Sequence, residues 1–197
     1  MIKFTYNHKK ELYIYDLLYN QIFPDRYPKQ VLRKIRKEIN IVPPADFVTE
    51  VTELIQNNWL EVENNFYKQL GKFYGKKLTA PNLTAYLTRT PQCPYNFEKG
   101  WFASPLFGHP EERNMAIMHE LTHYFQPVEL PRPIKEAVPV ILNDRKVFQV
   151  YSNDRGHSDP EEQEWRKEIW KVYKNGGTFD DVLKKVKKTS VTHSERE

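Results

Sequence analysis

The sequence has very little cysteine and no long apolar run. Cys93 is the single cysteine among 197 residues, so no disulfide can form within the chain. This excludes a small secreted domain stapled by disulfides and favours a reducing compartment, with the cytoplasm as the expected location. No apolar run approaches the roughly 20 residues of a membrane-spanning helix, and the first residues lack the apolar core of a secretion signal. We therefore expect a soluble protein that is neither exported nor inserted in a membrane.

A large excess of one charge is also missing. Thirty Lys and Arg residues against 26 Asp and Glu residues give a net charge of +4. This balance suits solubility and does not by itself predict nucleic-acid binding. Two basic clusters, Lys29 to Lys37 and Lys184 to Lys188, are candidate phosphate-binding faces. Acidic neighbours such as Glu38 and Asp180 favour the simpler interpretation, that both are solvated faces of amphipathic helices.

The apolar content is sufficient for a folded domain. Hydrophobic residues make up 39% of the chain and aromatic residues 14%, which excludes global disorder. We divide the chain into a helical N-terminal segment, residues 1–76, a central core, residues 77–145, and C-terminal helices with a frayed tail, residues 146–197. The length predicts that the three segments form one compact unit.

Apolar residues at three- and four-residue steps predict most of the helices. The longest begins near Asp46 and ends near Gly71 or Gly75. A second well-marked helix begins at Pro110, a residue favoured at the first helical position, and ends at Gln126, before Pro127. Shorter helices are predicted around Leu12 to Tyr19, at Val31 to Ile41, at Asp159 to Lys174 and at Thr178 to Lys188.

Two strands precede the helix that begins at Pro110. Apolar and polar residues alternate from Leu83 to Thr88, which predicts a half-buried strand. A second strand is predicted from Gly100 to Ser104, and Pro105 restricts it to an edge or its own terminus. The segment from Ile134 to Tyr151 is ambiguous, because Pro139 would strain a helix and the apolar pattern also fits a hairpin.

The residues that carry chemistry form the motif HExxH, with His119, Glu120 and His123. Residues four apart lie on one face of a helix, so both imidazoles can bind the same metal ion. Glu120 lies beside them, where it can hold a water bound to that metal. Two other interpretations stay open: a purely structural zinc site, and two partly buried histidines that pair with a glutamate.

This helix and the strands before it resemble the zincin metallopeptidases, over residues 77–145 alone. The resemblance implies an α+β, zincin-like fold, in which a small mixed sheet has an edge strand, Gly100 to Ser104, beside the HExxH helix. Helical N- and C-terminal segments would flank this catalytic core. In that family the edge strand holds an extended peptide by main-chain pairing. The resemblance also implies one zinc ion, bound by His119 and His123, with Glu120 as the catalytic residue.

A third zinc ligand is implied as well, and it decides the subgroup. The metzincin pattern would need Gly at position 126 and His at position 129, where this chain has Gln126 and Glu129. The gluzincin pattern places a glutamate on a later helix, which makes Glu136 the candidate in a compact gluzincin-like variant. Glu129 stays an alternative, and so do three other residues that can bind zinc, Asp144, His157 and Asp159.

The sequence therefore predicts a zinc-dependent metallopeptidase that hydrolyses peptide bonds of a peptide or protein substrate. Zinc lowers the pKa of its bound water toward ~7, Glu120 takes the proton, and the hydroxide attacks the peptide carbonyl. Tyr151 and His157 are secondary candidates for a hydrogen bond to the developing oxyanion. Cys93 has no activating base at a fixed spacing, so a thiol nucleophile is not expected.

One rival prediction belongs to a different class. A non-hydrolytic protein could keep the zincin scaffold and bind nucleic acid or a protein partner through its basic helices. A zinc peptidase tethered to DNA by Lys29 to Lys37 or Lys184 to Lys188 would combine the two. The complete HExxH motif favours the peptidase over a decayed site.

Overall fold

A computed structural model describes residues 1–22 and 27–194, and it confirms a mixed α+β build. Within these residues, four strands form one sheet, and the other elements are eight α-helices, a π-helical turn, Leu18–Ile22, and a 3-10 helix, Val138–Asn143. The strands are β1 (Ile2–Tyr6), β2 (Leu83–Thr88), β3 (Tyr95–Asn96) and β4 (Trp101–Pro105). The helices are α1 (His8–Leu17), α2 (Lys29–Ile39), α3 (Ala45–Phe73), α4 (Pro110–Tyr124), α5 (Arg132–Ala137), α6 (Arg145–Phe148), α7 (Pro160–Lys174) and α8 (Phe179–Ser194).

The sheet is small and mixed, as predicted, with the strand order β1-β2-β4-β3. β2 pairs in parallel with both β1 and β4, while β3 pairs antiparallel with β4. The prediction that Gly100 to Ser104 forms the edge strand is wrong. Tyr95 pairs with Phe102, and Ala103 donates its N–H to the carbonyl of Pro94 at 2.8 Å, so the outer side of β4 is already engaged.

Strand β1 lies in the N-terminal segment, for which the spacing of apolar residues predicts only helices. Ile2 and Phe4 are buried and Lys3 between them is exposed, an alternation too short to stand out in the sequence. The strand exists because it pairs with β2, where Ile2 faces Leu83 and Tyr6 faces Leu87. Parallel pairing between segments about 80 residues apart is not visible in local periodicity.

The hairpin that was one alternative for Ile134 to Tyr151 is not formed. α5 ends at Ala137, and Pro139 occupies the first turn of the 3-10 helix that follows. A proline is tolerated there because its missing N–H has no partner within the helix. The apolar run from Val138 to Leu142 is buried, and α6 then replaces the second strand of that hairpin.

Two compact units are present: Met1–Glu61 with Ala80–Glu120, and Val62–Thr79 with Leu121–Glu197. In the first unit, the face of β4 with Trp101 and Ala103 packs against apolar residues of α1 and α2, such as Ile14 and Ile39. In the second unit, rings form a connected cluster in which Phe73, Tyr74, Phe125, Tyr173 and Phe179 contact one another in pairs.

Helix α7 matches its predicted bounds closely, and α8 begins where it was predicted to begin. Asp159 caps α7 by accepting hydrogen bonds from the N–H groups of Glu161 and Glu162. α8 continues to Ser194, so it enters the segment expected to fray, and residues 195–197 of that tail lie outside the described residues. No helix in the described part of the chain has the length and apolarity to cross a membrane.

Candidate metal centre

Helix α4 places the HExxH motif as predicted. The helix begins at Pro110, carries Glu111 and Glu112 in its first turn, where carboxylates favour the positive end of the helix dipole, and ends at Tyr124. His119 and His123 are one turn apart on this helix. His123 is only 6% exposed, whereas His119 and Glu120 are half-buried, so the motif lies at the boundary between core and solvent.

The structure brings Glu136 to the two histidines. One ligand atom from each of His119, His123 and Glu136 lies within 4.8 Å of the others, and His123 Nε2 is 3.5 Å from Glu136 Oε2. Two atoms that each bind a tetrahedral zinc at 2.0–2.2 Å are about 3.4 Å apart, so the observed separation fits a shared ion. Two imidazoles and one carboxylate are also a donor set that zinc accepts.

Gln126 fixes the tautomer of His123. Its Nε2 donates to the carbonyl of Lys135 at 3.1 Å, so its Oε1 faces His123 Nδ1, also at 3.1 Å. A carbonyl oxygen accepts only, which makes Nδ1 the donor and leaves the Nε2 lone pair directed at Glu136. Two acceptors that face each other at 3.5 Å need a cation or a proton between them. A proton there would make the contact an ion pair between His123 and Glu136, which is the histidine–glutamate pairing that the sequence analysis keeps as an alternative.

Three further residues contact Glu136. Its carboxylate lies 4.0 Å from the exposed Arg132 and 3.9 Å from Nδ1 of His157. Arg166 lies 3.4 Å from the backbone carbonyl of Glu136, to which it donates a weak hydrogen bond. The third-ligand candidate is therefore supported from its side chain and from its main chain.

A loop that the sequence did not reveal positions His157. The buried Glu162 accepts hydrogen bonds from the backbone N–H of His157 at 2.8 Å and from its Nδ1 at 2.9 Å. Arg166, also buried, pairs with Asp154 at 2.8 Å in the same loop. Gly156 has φ +64°, and a Cβ there would lie 2.2 Å from Glu162 Oε1. Only glycine allows this close approach.

The remaining candidate ligands are not part of the metal-binding group. Among the described residues, His157, Glu129, Asp144 and Asp159 do not join the metal-binding group. Glu129 is exposed, Asp144 pairs with Lys174 at 3.0 Å, and Asp159 caps α7. Tyr151, a candidate for the oxyanion, is 64% exposed.

Cys93 lies within electrostatic reach of Glu120. Burial, and then the charge of Glu120, raises the pKa of this thiol well above its ordinary value. A thiol kept protonated is a poor nucleophile, so the chemistry of this region rests on its imidazole and carboxylate groups.

Sequence reasoning missed Gln126 as a functional residue. It was noted only as a departure from the metzincin pattern, although it lies three residues after His123, a spacing at which helical side chains meet. Comparisons with protein-family profiles, curated proteins and solved structures give no match. What this centre can do therefore follows from its own residues.

Proposed function

We propose that the protein is a zinc-dependent metallopeptidase of a compact, gluzincin-like zincin type. The observation that carries the proposal is the position of Glu136, which lies with His119 and His123 in one metal-binding group although it is 13 residues away from His123 in the sequence. A structural pair of histidines would not need a third ligand at this separation. The half-buried position of His119 and Glu120 gives a substrate access to the group.

His119, His123 and Glu136 would hold the ion, and Gln126 would keep His123 in the tautomer that offers Nε2. Zinc bound in this way lowers the pKa of water to about 7 and polarises a peptide carbonyl. Three protein ligands are the number found in catalytic zinc sites, whereas structural sites use four. This ligand count favours hydrolysis over a structural role.

Glu120 would act as the general base and acid. It follows His119 directly in α4 and does not belong to the metal-binding group, so in this proposal its carboxylate accepts a proton from water and donates it to the leaving amine. Because Pro94 and β3 engage the outer side of β4, we do not assign the substrate to main-chain pairing along residues 101–103 of that strand.

A peptide cleavage screen tests the proposal. The zinc-loaded native protein should cleave members of a defined peptide mixture, and a chelator should stop the cleavage until zinc is restored. Glu120→Gln should lower turnover by several orders of magnitude, because the amide cannot accept the proton. Glu111→Gln, a matched change on the same helix outside the ligand group, should leave turnover unchanged. Comparable turnover in Glu120→Gln and native protein would refute the role of Glu120.

A groove on α2 favours one alternative function, non-hydrolytic binding of a polyanion such as nucleic acid. This groove, of about 430 Å³, is lined by Tyr15 and by four basic residues of α2, Lys29, Arg33, Arg36 and Lys37. Arg36 also pairs with Asp16 at 3.0 Å, which reduces its availability. The alternative predicts salt-sensitive retention of DNA that Arg33→Gln weakens, with no cleavage of any peptide.

A further inference from the structure

Arg113 is a buried cation for which the fold supplies no counter-charge. This residue of α4 is only 6% exposed. Its backbone N–H bonds to the carbonyl of His109, but within the described residues its guanidinium makes neither an ion pair nor a hydrogen bond. Arginine is rarely buried unless it is paired, because removing its charge from water is unfavourable.

The charge of Arg113 persists despite this burial. Burial lowers the pKa of the guanidinium, and no acidic group offsets the effect. A guanidinium nevertheless stays protonated in proteins. The fold therefore keeps an unpaired positive charge in a position where an anion would be favoured.

A buried donor without a hydrogen-bond partner among the described residues contacts the same part of α4. Asn114, the residue after Arg113, donates to the backbone carbonyl of Asn58 at 3.3 Å. The side-chain Nδ2 of Asn58 is itself buried and has no hydrogen-bond partner among the described residues. This amide, like the guanidinium of Arg113, offers only hydrogen-bond donors, so a partner for either group would have to be an acceptor.

Arg113 lies on the same face of α4 as Glu120. Seven residues correspond to about two helical turns and a rise of roughly 10.5 Å, and Ala116, between them, adds only a methyl group. An extended peptide spans about 3.3 Å per residue, so this separation corresponds to about three residues.

We propose that Arg113 binds a carboxylate of the peptide substrate, about three residues from the bond that is cleaved. This inference rests on the proposed peptidase function and specifies its substrate class. A guanidinium binds a carboxylate through two parallel hydrogen bonds, which gives direction as well as affinity. The carboxylate belongs either to the C-terminus of the peptide or to an Asp or Glu side chain.

Binding to three peptide pools tests the proposal without turnover. The zinc-loaded Glu120→Gln protein is equilibrated with N-acetylated random hexapeptides, and retained peptides are measured by ultrafiltration and mass spectrometry. One pool lacks Asp and Glu and has free C-termini, the second is the same pool amidated, and the third is amidated but contains Asp and Glu. Retention of the first or third pool should exceed that of the second by about 10- to 100-fold, and the pool retained identifies the source of the carboxylate.

Adding Arg113→Gln should abolish this preference, while Lys146→Gln, which removes an exposed charge of α6 outside both proposed sites, should leave it intact. Equal retention of the three pools would overturn the proposal. A preference that survives Arg113→Gln would also overturn it, and would indicate that the peptide carboxylate binds the metal instead. Arg113→Met should leave the thermal midpoint unchanged or raise it, since it removes an unpaired charge. A large fall would show that the charge is paired in the fold and would also count against the anchor.

The outcomes separate this inference from the proposed function. A preference that depends on Arg113, in a protein that cleaves no peptide when Glu120 is intact, would support the carboxylate anchor and refute the peptidase. Cleavage with no preference for carboxylates would support the peptidase and refute the carboxylate anchor.

Discussion

Gln126 is the residue through which the proposed centre can be perturbed without removing a ligand. It is 8% exposed, accepts from His123 Nδ1 and donates to the carbonyl of Lys135, both at 3.1 Å. Gln126→Leu keeps a similar volume but removes both hydrogen-bonding groups. His123 then loses the partner that fixes its ring and its tautomer.

The expected loss of zinc affinity is about 10- to 100-fold, the usual effect of removing the hydrogen-bond partner of a metal-bound histidine. This corresponds to about 1.4–2.7 kcal/mol. The free energy of unfolding should also fall by about 1–3 kcal/mol, because the Nδ1–H group and the Lys135 carbonyl are left without partners. Gln126→Glu keeps an acceptor for Nδ1 but loses the donor to Lys135, so it should lose stability while retaining most of the zinc affinity.

Competition with a chromophoric zinc chelator measures the affinity, and circular dichroism verifies that each variant is folded. Gln69→Leu is the matched control, because Gln69 donates to Asn65 Oδ1 at 3.1 Å within α3 and takes no part in the centre. If Gln126→Leu bound zinc as tightly as this control, Gln126 would not orient a metal ligand.

Two further predictions concern the packing around the site and the first unit. In urea unfolding, Gly156→Ala should destabilise the fold by about 1–3 kcal/mol more than Gly75→Ala. Both glycines have φ +64°, but only a Cβ at Gly156 would collide with a neighbour, the side chain of Glu162. Glu11 is fully buried and accepts from Arg89 Nε and Nη2 at 3.0 and 2.7 Å, so Glu11→Gln should cost about 3–5 kcal/mol. The half-exposed pair of Asp16 with Arg36 gives the control, since Asp16→Asn should cost less than about 1 kcal/mol. Similar losses in Glu11→Gln and Asp16→Asn would contradict the buried-pair argument.

Local patterns in the sequence account for the elements that present the HExxH motif. β2 has the predicted bounds, and α4 lies within the predicted span from Pro110 to Gln126 because its first turn and its end are both marked by proline. α3 spans Ala45–Phe73, close to the predicted limits, since its apolar periodicity extends over eight turns.

The elements that could not be predicted depend on partners remote in the sequence. β1 is stabilised by β2, and β3, only two residues long, takes the edge position expected for β4. In the sequence, Glu162 and Arg166 have no feature that separates them from other charged residues of an amphipathic helix. Both are buried because they hydrogen-bond to the loop around His157. Periodicity identifies which face of a helix is polar, but not which polar residues the fold will bury.

Zinc content per chain tests the central claim, that His119, His123 and Glu136 together bind one ion. The measurement is elemental analysis of protein purified without added metal, compared across single variants. The native chain, Glu120→Gln and Glu129→Ala should each retain about one zinc ion, because neither Glu120 nor Glu129 belongs to the metal-binding group found among the described residues. His123→Ala and Glu136→Ala should contain far less. Equal zinc content in all five proteins, or none in the native chain even after zinc is added, would contradict the account.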